Sequence, residues 1–115
     1  MTAKEYVKIA YDALLDKKAH NIRIIDIKEI STVGDYMIVA DGSNHNQIQA
    51  MCSMVEEKLA PTDIKLKNRE GNAIGGWILL DYYDIIIHIF TEETRSFYDL
   101  EHIWRDGNIC SIEEL

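Results

Sequence analysis

The stretch GGWILLDYYDIIIHIF, residues 75–90, is the most apolar part of the chain and decides how the fold is read. Its β-branched and aromatic content predicts two strands joined by a two-residue turn at Tyr82-Tyr83. That turn would place Trp77 opposite His88 and Asp81 opposite Asp84. Side chains alternate across a strand, and directly opposed residues share a face. The two strands therefore present two chemically different faces.

One of these, the aliphatic face, is expected to pack against helices; it holds Ile78, Leu80, Ile85, Ile87 and Ile89. The other, the mixed face, combines apolar bulk with carboxylates and an imidazole; it holds Trp77, Leu79, Asp81, Asp84, Ile86, His88 and Phe90. A tryptophan beside charged groups is typical of an interface anchor, so the mixed face is a candidate docking surface. Simpler alternatives stay open. Trp77 could pack under a loop, Asp81 and Asp84 could flank the turn, and His88 could be a buried histidine bonded to a carboxylate.

The rest of the chain predicts a single α/β domain over residues 1–115, with a mixed five-stranded sheet and flanking helices. Capping-box spacings at Thr2 and Asn44 open two helices, and the second must stop near Pro61. The predicted order is a helix over 2–18, a hairpin of strands 21–30 and 35–43, a helix from 44, a strand over 63–71, the two strands of 75–90 and a helix over 91–107. The tail 108–115 carries no strong signal and is expected to fray.

The net charge of −8 is unevenly distributed. Residues 1–69 carry ten acidic and ten basic side chains, whereas residues 70–115 carry ten acidic side chains and only two arginines. An acidic half repels nucleic-acid phosphates, so little direct nucleic-acid binding is expected. It suits a basic protein partner, although a merely solvated acidic surface is the ordinary alternative.

Targeting, redox and metal signals are weak. The N-terminus has no apolar run that would make a signal peptide or a membrane anchor, which predicts a cytoplasmic protein. Cys52 and Cys110 lie in no paired motif and are expected to be reduced thiols. The four histidines fall on four different elements, so no metal site and no cofactor are predicted.

The order strand, Gly42-Ser43, helix is similar to the start of the nucleotidyltransferase fold. Those enzymes need two carboxylates on the following strand to hold metal ions for phosphoryl transfer. Here that strand would be DIKLKNREG (63–71), which offers lysines at the corresponding places. The sequence therefore predicts a nucleotidyltransferase-like topology without the catalytic carboxylates, and no catalytic residue.

A series of motifs runs along most of the chain, from about residue 3 to 106. The motif positions are Asp35-Tyr36, Gly42-Ser43, Glu70-Gly71, Trp77, Asp81, His88, Phe90, Arg95, Tyr98, Leu100, Glu101 and Trp104. In order and spacing they resemble the ribosomal silencing factor family (RsfS, also called Iojap-like). Tyr83 departs from the pattern, because the family turn usually has a small residue there.

The resemblance implies a non-enzymatic protein that binds the large ribosomal subunit through ribosomal protein uL-fourteen. The bound factor would block joining of the small subunit and so repress translation under nutrient limitation. A large-subunit assembly factor and, less favoured, a nucleotidyltransferase-like enzyme are the alternatives, and a homodimer is possible. The partner-binding residues predicted from the mixed face are Trp77, Asp81, Asp84 and His88, and those implied by the resemblance are Arg95, Tyr98 and Glu101.

Overall fold

A mixed sheet of six strands, flanked by helices, is the framework of the computed structural model, which describes residues 1–29, 34–97 and 108–115. The elements in chain order are α1 (Ala3–Asp16), β1 (His20–Asp26), β2 (Tyr36–Gly42), α2 (His45–Leu59), β3 (Asn68–Asn72), β4 (Trp77–Asp81), β5 (Ile85–Thr91), α3 (Glu92–Phe97) and β6 (Asn108–Cys110), followed by a 3₁₀ turn (Ile112–Glu114).

The strands lie in the order β3-β4-β5-β2-β1-β6. Only the central pair, β2 with β5, is parallel among the described strands, and the hairpin β1–β2 is antiparallel as predicted. The predicted α/β class with a mixed sheet is confirmed, but the predicted count of five strands is wrong. The sixth strand comes from the tail that was expected to fray. It pairs with β1 over only three residues, which is too short to give a periodic signal.

The helices begin where their capping residues predict. The Thr2 hydroxyl accepts from the Glu5 amide while the Glu5 carboxylate accepts from the Thr2 amide, which completes a capping box on α1. The Asn44 side chain accepts from the Gln47 amide at 2.9 Å and caps α2. The described helices include none with the length and apolar character that a membrane crossing requires.

The main core lies between the sheet and the two long helices. All five residues of the aliphatic face are fully buried and belong to one cluster with the inner sides of α1 and α2. Apolar positions at helical spacing on α1 and α2 supply the other half of that cluster, including Leu14, Ile48 and Met51. Cys52 is buried there as a free thiol, as predicted, and burial raises its pKa to about 11.

The β4–β5 pairing differs from the predicted register. Trp77 pairs with Phe90, and Leu79 pairs with His88, so the strands are shifted by two residues and joined by a three-residue turn, 82–84. A shift of two preserves side-chain parity, and the two predicted faces survive apart from Asp84, which lies in the turn. The turn is closed by the Asp81 carboxylate, which accepts from the Tyr83 amide at 2.9 Å, while Tyr83 adopts a left-handed φ of 68°.

Strand β3 is shorter and starts later than the predicted 63–71. Its partner β4 ends at Asp81, whose carbonyl accepts from the Lys67 amide at 2.8 Å, so earlier residues have no strand to pair with.

The predicted helix over 91–107 is described only as α3. Thr91 caps it, since its hydroxyl accepts from the Thr94 amide at 3.2 Å. Residues 98–107, which include Tyr98 and Glu101, lie outside the described residues.

Candidate functional site

Three aromatic rings stack side by side at the centre of the mixed face. Trp77 enters from β4, and His88 and Phe90 enter from β5, where alternation places them on the same side of the sheet. The His88 and Phe90 rings lie 5.9 Å apart and within 3° of parallel. The Trp77 ring lies 6.1 Å from His88 and 6.3 Å from Phe90. The stack forms a flat, rigid platform because each ring limits the rotation of the next.

A hydrogen bond fixes the protonation of His88. The Trp77 indole N–H donates to His88 Nδ1 at 3.1 Å, and since an indole nitrogen can only donate, Nδ1 must be unprotonated. Desolvation by burial also lowers the pKa of His88 to about 4. The ring is therefore neutral at pH 7 and carries its proton on Nε2. Its bonded neighbour is the indole and not a carboxylate, which was the alternative left open by the sequence.

Gly71 creates the space in which Trp77 sits. Its φ of 77° lies in the left-handed region, and a Cβ there would collide with the Trp77 carbonyl and crowd the indole ring. Because Gly71 pairs with Ile78 across the β3–β4 ladder, the missing side chain lets the edge strand close over the base of Trp77. Gly71 of the Glu70-Gly71 pair therefore has a structural role next to the aromatic stack.

The two aspartates lie at one end of the mixed face. Asp81 is partly buried at the last position of β4, and it pairs with Ile86 rather than with Asp84. Asp84 is exposed in the turn, where its carbonyl accepts from the amides of Asp35 and Tyr36 at 2.8 and 3.2 Å. Tyr83 between them is 53% exposed. The arrangement gives the aromatic platform an acidic rim on the side of the turn.

The mixed face continues onto the neighbouring strands. A second, smaller core cluster consists of Ile25, Ile27, Val39 and Phe90, with Met37 and Trp77 packed against it. Trp77 is therefore partly buried by packing and partly exposed. One part of the indole therefore packs against the second cluster and the rest remains accessible, while the role of Trp77 as an interface anchor stays a prediction.

Arg95 does not lie beside the aspartates of the mixed face. Its side chain is 13% exposed, and it donates to Asp41 Oδ2 at 2.9 Å and to the Asn21 carbonyl at 2.8 Å. In this position Arg95 ties α3 to the ends of β1 and β2. Its role in partner binding stays a prediction, as do the roles of Tyr98 and Glu101.

The structure also brings together residues that sequence reasoning did not connect. His20, Asp41 and Glu92 come from three elements, and their donor atoms all lie within 4.8 Å of one another. The sequence carries no local motif for this group because the residues are 21 and 51 positions apart along the chain. The shared cluster arises only from the strand pairing of His20 with Asp41 and from the start of α3 after β5.

Comparison with known proteins finds a protein family that matches this chain. The family described as "Ribosomal silencing factor during starvation" matches residues 1–115. The chain is similar to the ribosomal silencing factor RsfS of Bacillus subtilis, with 33% identity over 98% of this chain and 96% of that protein. It is similar to RsfS of Zymomonas mobilis, with 36% identity over 89% of this chain and 77% of that protein.

The fold also agrees with a solved structure. A crystal structure of a Chromobacterium violaceum protein superposes with a TM-score of 0.86 at 31% identity, covering 91% of this chain and 88% of that chain. Sequence and structure comparisons therefore each find similar proteins that align over most of the chain.

Proposed function

The chain belongs to the ribosomal silencing factor family, and from that premise we propose that it binds the large ribosomal subunit through ribosomal protein uL-fourteen and blocks joining of the small subunit. The proposed site of action is the cytoplasm, and the proposed outcome is lower translation when nutrients are short. The observation that carries the proposal is the mixed face: an aromatic platform, partly exposed and rimmed by carboxylates, on a sheet whose other face is filled by helices.

The aromatic platform has the properties of an interface centre. Trp77 is held in place by Phe90 and His88, so little side-chain entropy is lost when a partner covers it. Tryptophan is also among the residues most often found at the energetic centre of an interface. His88 adds a neutral N–H donor on Nε2 without adding a charge that burial would penalise.

Charge favours a basic protein partner over bare RNA. Asp81 and Asp84 lie at the turn end of the mixed face, and the whole chain has a net charge of −8. A protein embedded among ribosomal RNA is expected to be basic, and complementary charge accelerates and orients such an encounter. The same negative charge disfavours non-specific binding to the phosphates around the docking position.

A factor that blocks subunit joining sterically has to occupy its binding position and be large enough, but it does not have to catalyse a reaction. The chain has principal extents of 34 × 31 × 26 Å, which is enough to separate two surfaces that must meet. Strand β3, at the position where nucleotidyltransferases carry paired carboxylates, holds a single one, Glu70, and it is exposed. This supports a regulatory role in preference to phosphoryl transfer.

The test is co-sedimentation of the protein with purified large subunits, followed by light scattering to follow joining of small subunits. We expect the protein to pellet with large subunits and to reduce the joining amplitude as its concentration rises. Unimpaired joining at saturating protein would overturn the silencing mechanism. Bound protein with normal joining would instead favour a role in assembly of the large subunit.

A further inference from the structure

A group of metal-ligating side chains lies at the end of the sheet opposite the Tyr82–Asp84 turn. His20 is the first residue of β1, Asp41 lies near the end of β2, and Glu92 opens α3. Their donor atoms lie within 4.8 Å of one another, and His20 Nδ1 is 2.8 Å from Glu92 Oε1. The turn and this group sit at the two ends of β5, about 20 Å apart for a strand of that length.

An irregularity in β1 brings His20 to this position. The β1–β2 register shifts between His20 and Arg23, and Asn21 within this bulge has a left-handed φ of 51°. A bulge redirects the side chains beside it and recurs next to functional sites. Here it leaves His20 paired with Asp41 and lets the Asn21 side chain reach the same carboxylate.

Asp41 supplies the observation that points to a ligand. The residue is only 2% exposed. Its Oδ2 accepts from Arg95 Nη1 at 2.9 Å and from Asn21 Nδ2 at 3.2 Å. Its Oδ1 is buried and lacks a hydrogen-bond partner, the one such atom among the side chains that the structure describes. A buried carboxylate oxygen left without a partner costs free energy that a bound cation would recover.

We propose that His20, Asp41 and Glu92 bind a divalent transition-metal ion of the Zn²⁺ class. One imidazole nitrogen and two carboxylate oxygens form a mixed donor set that suits Zn²⁺ better than Mg²⁺ or Ca²⁺, which prefer oxygen alone. Three protein ligands leave a fourth tetrahedral position open to water or to a group from a partner.

The surrounding residues fit the outer shell of such a site. Arg95 and Asn21 hold Oδ2 of Asp41 and thereby orient the carboxylate, as outer-shell donors do for metal ligands. The side chains of His20 and Glu92 are 45% and 55% exposed, so the hydrogen bond between them can open at little cost. The positive charge of Arg95 weakens cation binding, and we therefore expect an affinity below that of a structural zinc site with thiolate ligands.

The alternative is that the group is structural only, with an ion pair from Arg95 to Asp41 and a hydrogen bond between His20 and Glu92. Those contacts explain why α3 docks on the ends of β1 and β2. They do not use Asp41 Oδ1. The two interpretations make different predictions. Only the metal-site interpretation predicts that the isolated protein binds the metal and that this binding needs the proposed ligand side chains.

The experiment is a titration of the reduced, metal-free protein with Zn²⁺ by isothermal calorimetry, with Co²⁺ absorption as a second readout of the ligand field. The variants His20→Ala and Glu92→Gln remove one ligand each from exposed positions and leave the core unchanged. His45→Ala is the matched control, because His45 is an exposed histidine at the start of another helix. No ribosome is present, so the result is independent of the proposed silencing function.

We expect one Zn²⁺ per chain, with affinity reduced about tenfold or more in His20→Ala and in Glu92→Gln and unchanged in His45→Ala. Co²⁺ should give a d–d absorption band in the wild type that is lost in both ligand variants. Equal binding in the wild type and both ligand variants would overturn the proposal, because the metal would then bind elsewhere. Absence of Zn²⁺ binding by the wild type would overturn it as well.

Discussion

The two faces of the β4–β5 hairpin are formed by the same two strands but differ in burial and in side-chain chemistry. The aliphatic face is fully buried against α1 and α2 and contains no polar side chain. The mixed face keeps Trp77 and His88 partly exposed and has carboxylates at one end. Adjacent residues of one strand thus serve stability on one side and remain available for recognition on the other. The comparison predicts that substitutions on the aliphatic face will act mainly on stability, whereas substitution of the accessible residue Trp77 on the mixed face will act mainly on recognition.

The largest effect is expected on the aliphatic face. Ile87→Ala would leave a cavity in a fully buried position and lower the free energy of unfolding by about 2–5 kcal/mol. Chemical denaturation with urea measures this loss. Binding to the large subunit, corrected for the folded fraction, should remain at the wild-type value. A specific loss of affinity in the folded variant would contradict the division between the two faces.

The pH dependence of stability tests the burial of His88. Its pKa of about 4 in the folded protein lies below the ordinary 6.5, so on acidification the unfolded chain takes up the proton first. The free energy of unfolding should therefore fall as the pH is lowered from 6.5 to 4. The fall is roughly 3 kcal/mol if the full difference between the folded and unfolded pKa of His88 contributes. Denaturation curves of the wild type and of His88→Gln across this range isolate the contribution. Identical pH slopes in both proteins would show that His88 is not buried as a neutral ring.

Trp77 is expected to affect recognition more than any other single residue of the mixed face. Trp77→Ala should weaken binding to the large subunit by about 2 kcal/mol, because an indole at an interface centre contributes on this scale. Co-sedimentation at increasing subunit concentration measures the change. Trp77→Phe is the comparison variant, since it keeps an aromatic ring at this position while removing the N–H donor to His88 and one ring of the indole. Unchanged affinity in the alanine variant would assign Trp77 to the second core cluster alone.

The turn beside the mixed face gives the smallest predicted effect, in the opposite direction. Tyr83 has a φ of 68° and a side chain that is 53% exposed, so its backbone strain is not compensated by burial. Tyr83→Gly should raise the free energy of unfolding by about 1 kcal/mol, because glycine adopts this conformation without a steric penalty. Thermal and urea denaturation measure the gain. A loss of stability would show that contacts of the Tyr83 ring, such as that with Lys67, outweigh the strain.

Much of the fold could be predicted because the capping residues and the side-chain alternation in the sequence agree with the way the elements pack. The capping residues Thr2 and Asn44 give the helix starts, and the alternation in residues 77–90 assigns the faces correctly. The register was predicted wrongly by two residues because the turn chemistry of Tyr82-Tyr83 does not show that Asp84 also belongs to the turn. The face assignment survived because only an odd shift exchanges the two sides of a strand.

The candidate sites were less predictable. Trp77, Asp81 and His88 were found on the mixed face as expected, since parity alone places them there. Arg95 was grouped with them by family resemblance, but its position depends on contacts with Asp41 and Asn21, which are 54 and 74 residues away in sequence. Contacts at such separations leave no periodic signal in one sequence, and the His20–Asp41–Glu92 group was missed for the same reason.

The sequence by itself determined most of the elements, the two faces of the hairpin and the uneven charge, because these depend on neighbours within a few residues. The tertiary structure decided the register of β4 against β5, the sixth strand and the placement of Arg95. It also decided the neutral state of His88, which requires a desolvated site and the Trp77 indole across the hairpin. These features depend on pairing and burial between distant segments, and such interactions form only when the whole chain has folded.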